Sequence, residues 1–129
     1  MTILLDTCVI IDALLRRHGR WELLRTLKSE GHSFVCCAIT IAEVYSGMRP
    51  EEARATSELF DDLRYVETSR EAARNAGELR VKWRQRGKTL SLPDAMIAAV
   101  ALAENLTLAT DNVKDFPMPE LRFLPLPKD

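Results

Sequence analysis

The sequence predicts an α/β domain of three layers, a short and mainly parallel central sheet flanked by helices. Three observations predict it. Short apolar runs alternate along the chain with segments whose apolar residues recur at helical spacing. Those runs are continuously apolar, the pattern of strands buried on both faces. The chain is 129 residues long, with 47% hydrophobic and 29% charged residues, which suits a single domain spanning 1–129.

Each element has its own signature. Ile3, Leu4 and Leu5 form the first strand, and the residues from Thr7 to about Arg17 form a helix apolar beyond one face. Trp21 to Glu30 is helical, with Leu24 and Leu27 on one side and Gly31 placed to end it. Ser33 to Cys37 is a buried strand. A helix follows from Thr40 towards Gly47, and another from Pro50 to Leu63. Tyr65 and Val66 make a weak strand. Thr68 and Glu71 form a capping box for a long helix to about Arg86, with Ala72, Ala76, Leu79 and Trp83 at helical spacing. Ser91 opens a helix that ends near Glu104, where Asn105 can take the left-handed conformation. Leu106 to Ala109 is the next strand, and Arg122 to Leu124 is a short last one before a Pro-rich tail.

Composition removes several classes of function. No apolar run reaches the roughly 18–20 residues of a membrane span, and the opening segment lacks the basic start of a secretion signal. With 18 Lys+Arg against 19 Asp+Glu the net charge is −1, so nucleic-acid contact must come from local clustering of charge. Cys8, Cys36 and Cys37 fit neither a disulfide frame nor a zinc site, and read as reduced thiols of a cytoplasmic protein.

The acids carry the functional signal. Asp6 follows the first strand, Glu43 lies in the first turn of the helix after Ser33–Cys37, and Asp111 follows the strand ending at Ala109. Asp94 is in the first turn of the helix opened by Ser91, and a loop from Gly87 to Leu90 brings it to the same edge. The carboxyl ends of parallel strands share one edge, where ligands bind. Carboxylates gathered there repel one another unless a cation neutralises them, and hard oxygen ligands suit Mg²⁺ or Mn²⁺. The competing account is capping: acids favour helix N-termini, Thr40 to Glu43 reads as a capping box, and Ser91 to Asp94 as its Asp variant.

At these residues the sequence resembles the PIN-domain ribonucleases, and among them the VapC toxins of bacterial and archaeal toxin–antitoxin modules. The matching stretches are LLDTCVII around Asp6, ITIAEVYSG around Glu43, LSLPDAMIAAVALAENLTLAT around Asp94, and TDNVKDF from Thr110 to Phe116. The resemblance implies a PIN-like fold, a Mg²⁺ or Mn²⁺ ion at the acids, and endonucleolytic cleavage of RNA. It further implies a homodimer and inhibition by a small VapB-like antitoxin. The sequence departs from the pattern twice. Cys8 stands where the family commonly has Asn or Ser. The third residue of the last motif, usually acidic or Asn, is here Asn112, with Asp111 one place early.

The chemistry would be metal-assisted phosphodiester hydrolysis, with Asp6 and Asp94 as direct ligands and Glu43 and Asp111 bound through water or to a second ion. Asn112 is the alternative to Asp111, as a neutral ligand or water holder. Asp115, a helical turn further on, is expected to face solvent. Thr7, Ser91 and Thr110 are hydroxyls that could orient carboxylates or phosphates, or serve caps and turns. Arg80, Arg84 and Lys88 fall at i, i+4 and i+8 and form a candidate RNA-contacting strip, against the alternative of a solvated helix face. The apolar first helix offers a face for a dimer mate or an antitoxin segment, with core burial as the competing account. Two rival functions differ in class. One is a non-catalytic binding module whose acids hold a structural ion. The other is a phosphoacceptor with Asp6 as nucleophile, disfavoured because Cys8 occupies the place of a second Asp.

Overall fold

The computed structural model describes residues 1–127. β1 (Thr2–Leu5) leads through α1 (Thr7–Leu14) and α2 (Arg20–Ser29) to β2 (Ser33–Cys37). α3 (Ala38–Ser46) and α4 (Ala53–Asp62) connect to β3 (Arg64–Val66), and α5 (Arg70–Gln85) and α6 (Leu92–Ala103) to β4 (Thr107–Ala109) and then β5 (Arg122–Phe123). The strands lie in the order β3-β2-β1-β4-β5, and every pairing is parallel. The three-layer α/β expectation is met.

The pleat explains why the strands are apolar throughout. Ile3 and Leu5 of β1, with Phe34 and Cys36 of β2, pack under α1, α2 and α4 against Val9, Ile10, Leu24 and Leu59. Leu4, Val35, Cys37 and Leu108 point the other way, into a second core with Ala72 and Ala76 of α5 and Ile97, Ala98 and Ala101 of α6. Successive side chains on a strand alternate faces, so a strand between two helical layers has no solvent side to leave polar. α6 is buried on several sides, and its alanines let it lie close to both sheet and α5.

Local chemistry shifts several expected boundaries. α1 stops at Leu14, and Arg16 and His18 then take left-handed backbone conformations. Pro50–Glu52 forms a separate 3₁₀ turn, so the expected helix from Pro50 is two pieces. The cap of α5 is Ser69, whose hydroxyl accepts the Ala72 amide at 3.0 Å, and the expected Thr68–Glu71 capping box is corrected accordingly. Asn105 does adopt the left-handed conformation that ends α6.

The chain builds β1, β2 and β3 outward in one direction, then returns to place β4 on the other side of β1. Neighbouring connections diverge at that seam, and the crevice they leave lies beyond the carboxyl ends of β1 and β4. Leu5 pairs with Ala109, and the Asp6 amide donates to the Ala109 carbonyl at 2.9 Å. The residues after each strand therefore face each other.

Candidate active site

Asp6 sits on this seam. It caps α1, with Oδ1 accepting the Thr7 amide at 2.8 Å, so the capping account of Asp6 holds as far as that oxygen. The other oxygen is used differently. Oδ2 accepts the Thr110 hydroxyl at 2.7 Å from across the seam, and the Cys8 thiol lies 3.6 Å away. A cap needs one acceptor; the second is turned towards the β4 side and fixed there.

Glu43 escapes the capping account. α3 begins at Ala38, and Thr40 is its third residue, closing a box with Cys37 by accepting the Cys37 amide at 3.1 Å. The expectation that Thr40 caps a helix with Glu43 in its first turn is thus corrected: Glu43 is one turn further in. Its Oε1 accepts the Thr7 hydroxyl at 2.7 Å. Thr7 is in this way tied to one acid by its amide and to another by its side chain.

Ser91 caps α6, its hydroxyl accepting the Asp94 amide at 3.2 Å. Asp94 itself is half-buried, and its carboxyl is pushed above the ordinary carboxylate range, chiefly by burial. A Ser91 hydrogen bond opposes the rise, while the charges of Asp6, Asp115 and Glu43, in that order, add to it. The charges of Asp6, Asp115 and Glu43 all reach Asp94, so Asp115 joins the acids that the sequence places at this edge. That residue closes the 3₁₀ turn Val113–Asp115 and is partly buried, in place of the expected solvent-facing position.

Asp111 has a different partner. Its Oδ1 receives Arg20 Nη2 at 2.7 Å, and the guanidinium is almost wholly buried. Asn112 turns towards Cys8, its Nδ2 lying 3.9 Å from the thiol, and its amide donates to the Thr110 hydroxyl at 3.0 Å. Burial pushes the Cys8 thiol up to about 11, and the Asp6 and Asp111 charges push the same way. A neutral thiol beside Asp6 adds no further charge to the cluster.

The basic strip divides. Arg84 is exposed and Lys88 partly so, near the turn made by Gly87, whose φ of +82° is readily available to glycine. Arg80 is half-buried, and its Nε donates to the Leu90 carbonyl at 3.0 Å, bracing the loop that delivers Ser91 and Asp94. Arg20 is a functional candidate that the sequence did not single out, and Asp115 is one that it set aside as solvent-facing. A charged residue opening a helix reads as surface, and only the fold turns Arg20 inward.

Among the described residues, no three His, Cys, Asp or Glu side chains converge into a ready-made metal cage. The donor set nonetheless suits a hard cation: it is all oxygen, mutually repelling, and braced by Thr7 and Thr110. Mg²⁺ in particular binds through one or two carboxylates and keeps several waters, so it requires no closed cage.

A parallel α/β sheet with hydroxyl-braced acids at its switch point defines a class, and comparison with known families names it. The PIN domain family model matches residues 3–117, and the chain belongs to that family. Within it the similarity is to VapC proteins. Ribonuclease VapC10 of Mycobacterium tuberculosis is 32% identical over 116 residues, covering 90% of this chain and 86% of the relative. The structure of VapBC2 from Rickettsia felis bound to a DNA fragment from their promoter superposes with a TM-score of 0.80 at 27% identity, covering 96% of this chain and 98% of that one. VapBC-1 from nontypeable Haemophilus influenzae gives 0.78 at 25% identity, with 96% and 97% covered.

Proposed function

We propose that the protein is a metal-dependent endoribonuclease and the toxin of a toxin–antitoxin pair. The observation that carries the reading is Asp94: a half-buried carboxylate that feels the charges of Asp6, Asp115 and Glu43 at the sheet's carboxyl edge. Such an arrangement is costly without a cation. Asp6 and Asp94 would hold Mg²⁺ or Mn²⁺ directly, with Glu43 and Asp115 completing the set through water. When bound, the ion supplies Lewis acidity and an acidified water for hydrolysis of a phosphodiester.

This chain's own residues do the rest. Thr110 fixes the face that Asp6 presents, and Thr7 does the same for Glu43. Arg80 holds the loop before Asp94. Arg84 and Lys88 offer phosphate contacts near that loop, attracting RNA to a cleft whose acids would otherwise repel it. The partner reading is supported by the VapBC complexes among the structural neighbours. An antitoxin segment would cover the groove of about 230 Å³ between α1, α3 and α4, lined by Ile11, Leu14, Val44 and Met48. Homodimerisation and a cytoplasmic site of action belong to the same reading.

The test is RNA cleavage by the purified protein with Mn²⁺, with EDTA, and with Asp6→Asn, which keeps the cap of α1 while removing a charge. Cleavage lost under EDTA and in the variant is the expected result, together with growth arrest on induction of the parent and none from the variant. Arrest by both proteins, with no cleavage by either, would instead mark a binding module acting through a partner.

A further inference from the structure

Arg20 stands in the first turn of α2, yet it is only 4% exposed. A guanidinium so placed must be paired, because an unpaired buried charge is among the most destabilising features a fold can carry. Three separate parts of the chain pair it. Nη1 donates to the His18 carbonyl at 2.9 Å, while Nη2 donates to Asp111 Oδ1 at 2.7 Å and to the Pro127 carbonyl at 3.1 Å. Arg20 thus ties the start of α2 and the C-terminal segment to the turn that follows β4.

That turn carries two adjacent side chains with different assignments. The Thr110 hydroxyl is on Asp6, inside the acidic cluster, whereas the Asp111 carboxylate is on Arg20. The Thr110 hydroxyl also accepts the Asn112 amide, which bends the chain directly after Asp111. The 3₁₀ turn Val113–Asp115 then follows. We propose that Arg20 is a positioning residue for the acidic site: by pairing with Asp111 it holds that carboxylate out of the metal-binding set, leaving Asp115 as the fourth acid. The proposal rests on the reading of the cleft as a metal centre.

The arrangement has a chemical consequence. A fifth carboxylate would strengthen the hold on a divalent ion, but it would also make the loaded site more negative and oppose an approaching phosphodiester. Arg20 fixes the number of acids that the ion meets.

The experiment is Mn²⁺ binding to the full chain, measured by calorimetry without RNA, so that activity is not the readout. Asp111→Asn should bind Mn²⁺ with the parent's affinity, while Asp115→Asn and Asp94→Asn should each bind it severalfold more weakly. Arg20→Gln should free Asp111 and tighten Mn²⁺ binding severalfold, and adding Asp111→Asn to it should restore the parent's value. A purely structural ion pair would not produce that tightening and its reversal. The proposal is overturned if Asp111→Asn weakens binding as Asp94→Asn does, or if a folded Arg20→Gln protein binds as the parent. Should Arg20→Gln fail to fold, the comparison of Asp111→Asn with Asp115→Asn decides alone. If Asp94→Asn leaves Mn²⁺ binding unchanged, the metal reading fails and this proposal falls with it.

Discussion

Asp6 and Asp94 stand near enough for the charge of one to act on the other, but they are supported in opposite ways. Both carboxylates of the pair stand at helix N-termini, one as cap and one in the first turn. Asp6 is 6% exposed and has hydrogen bonds to both oxygens, from the Thr7 amide and the Thr110 hydroxyl. Asp94 is pushed up by burial and by three neighbouring acids, with a Ser91 hydrogen bond as the opposing influence. Hydrogen bonds to both oxygens hold a carboxylate in place; burial beside like charges leaves one in need of a counter-charge. On the metal reading proposed above, the difference divides the labour: Asp6 would locate the ion, and Asp94 would supply charge that the ion relieves.

The largest effect should come from the unrelieved partner. Groups that merely support metal ligands typically cost about 10–100-fold when removed, so loss of a direct ligand should exceed roughly 100-fold. Asp94→Asn is therefore expected to lose RNA cleavage by more than about 100-fold at every Mn²⁺ concentration, with its fold intact. Thr110→Val, which strips Asp6 of its cross-seam donor, should fall within about 10–100-fold and regain rate as Mn²⁺ is raised. Titrating cleavage rate against Mn²⁺ for both variants separates the two kinds of support. A Thr110→Val protein that no amount of Mn²⁺ rescues would erase the distinction between them.

How much of this was legible in the sequence follows from which forces are local. The strand–helix alternation and the carboxyl-edge address of Asp6, Glu43 and Asp94 depend on periodicity and on the single rule that parallel strands end together. Cap positions were less legible, since several hydroxyls compete within a few residues: Ser69 took the place expected of Thr68, and Thr40 proved to be the third residue of α3. The partners of Asp111 and Arg80 were not legible at all. Arg20 lies 91 residues from Asp111, and Leu90 lies ten residues past Arg80, so neither contact leaves a periodic trace.

The same contrast between bracing and contact runs along α5 and into the loop after it. Arg80 is expected to act on the loop before Asp94, and Arg84 and Lys88 on RNA. Replacing Arg84 and Lys88 together by Gln should flatten the salt dependence of RNA binding by up to roughly 1.4 logarithmic units, about 0.7 per contact with a single strand. Arg80→Gln should leave that slope where it is and lower the rate of cleavage instead. Binding isotherms over a salt series measure the first, and single-turnover cleavage the second. An Arg80→Gln slope as flat as that of the double variant would return Arg80 to the phosphate strip.

The smallest effect is on stability without metal, and it sharpens the Asp6–Asp94 comparison most directly. Folding raises the Asp94 carboxyl above its usual range, so the folded chain holds that proton to a higher pH than the unfolded one. Its contribution to stability is complete below the unfolded carboxylate value and is lost as pH rises through the raised folded one. At neutral pH the metal-free parent therefore carries a half-buried charge, only partly offset by Ser91, that Asp94→Asn lacks. The variant should melt at or above the parent there, and the gap should close as pH falls into the carboxylate range. Mn²⁺ should reverse the order, because a ligand at a hundred times its Kd stabilises the form that binds it by about 2.7 kcal/mol. Melting curves of both proteins, with EDTA and with Mn²⁺, across a pH series carry out the test. A metal-free Asp94→Asn protein that melts below the parent at neutral pH would mean that Asp94 is held by favourable bonds, as Asp6 is, and the division of labour between the two acids would be gone.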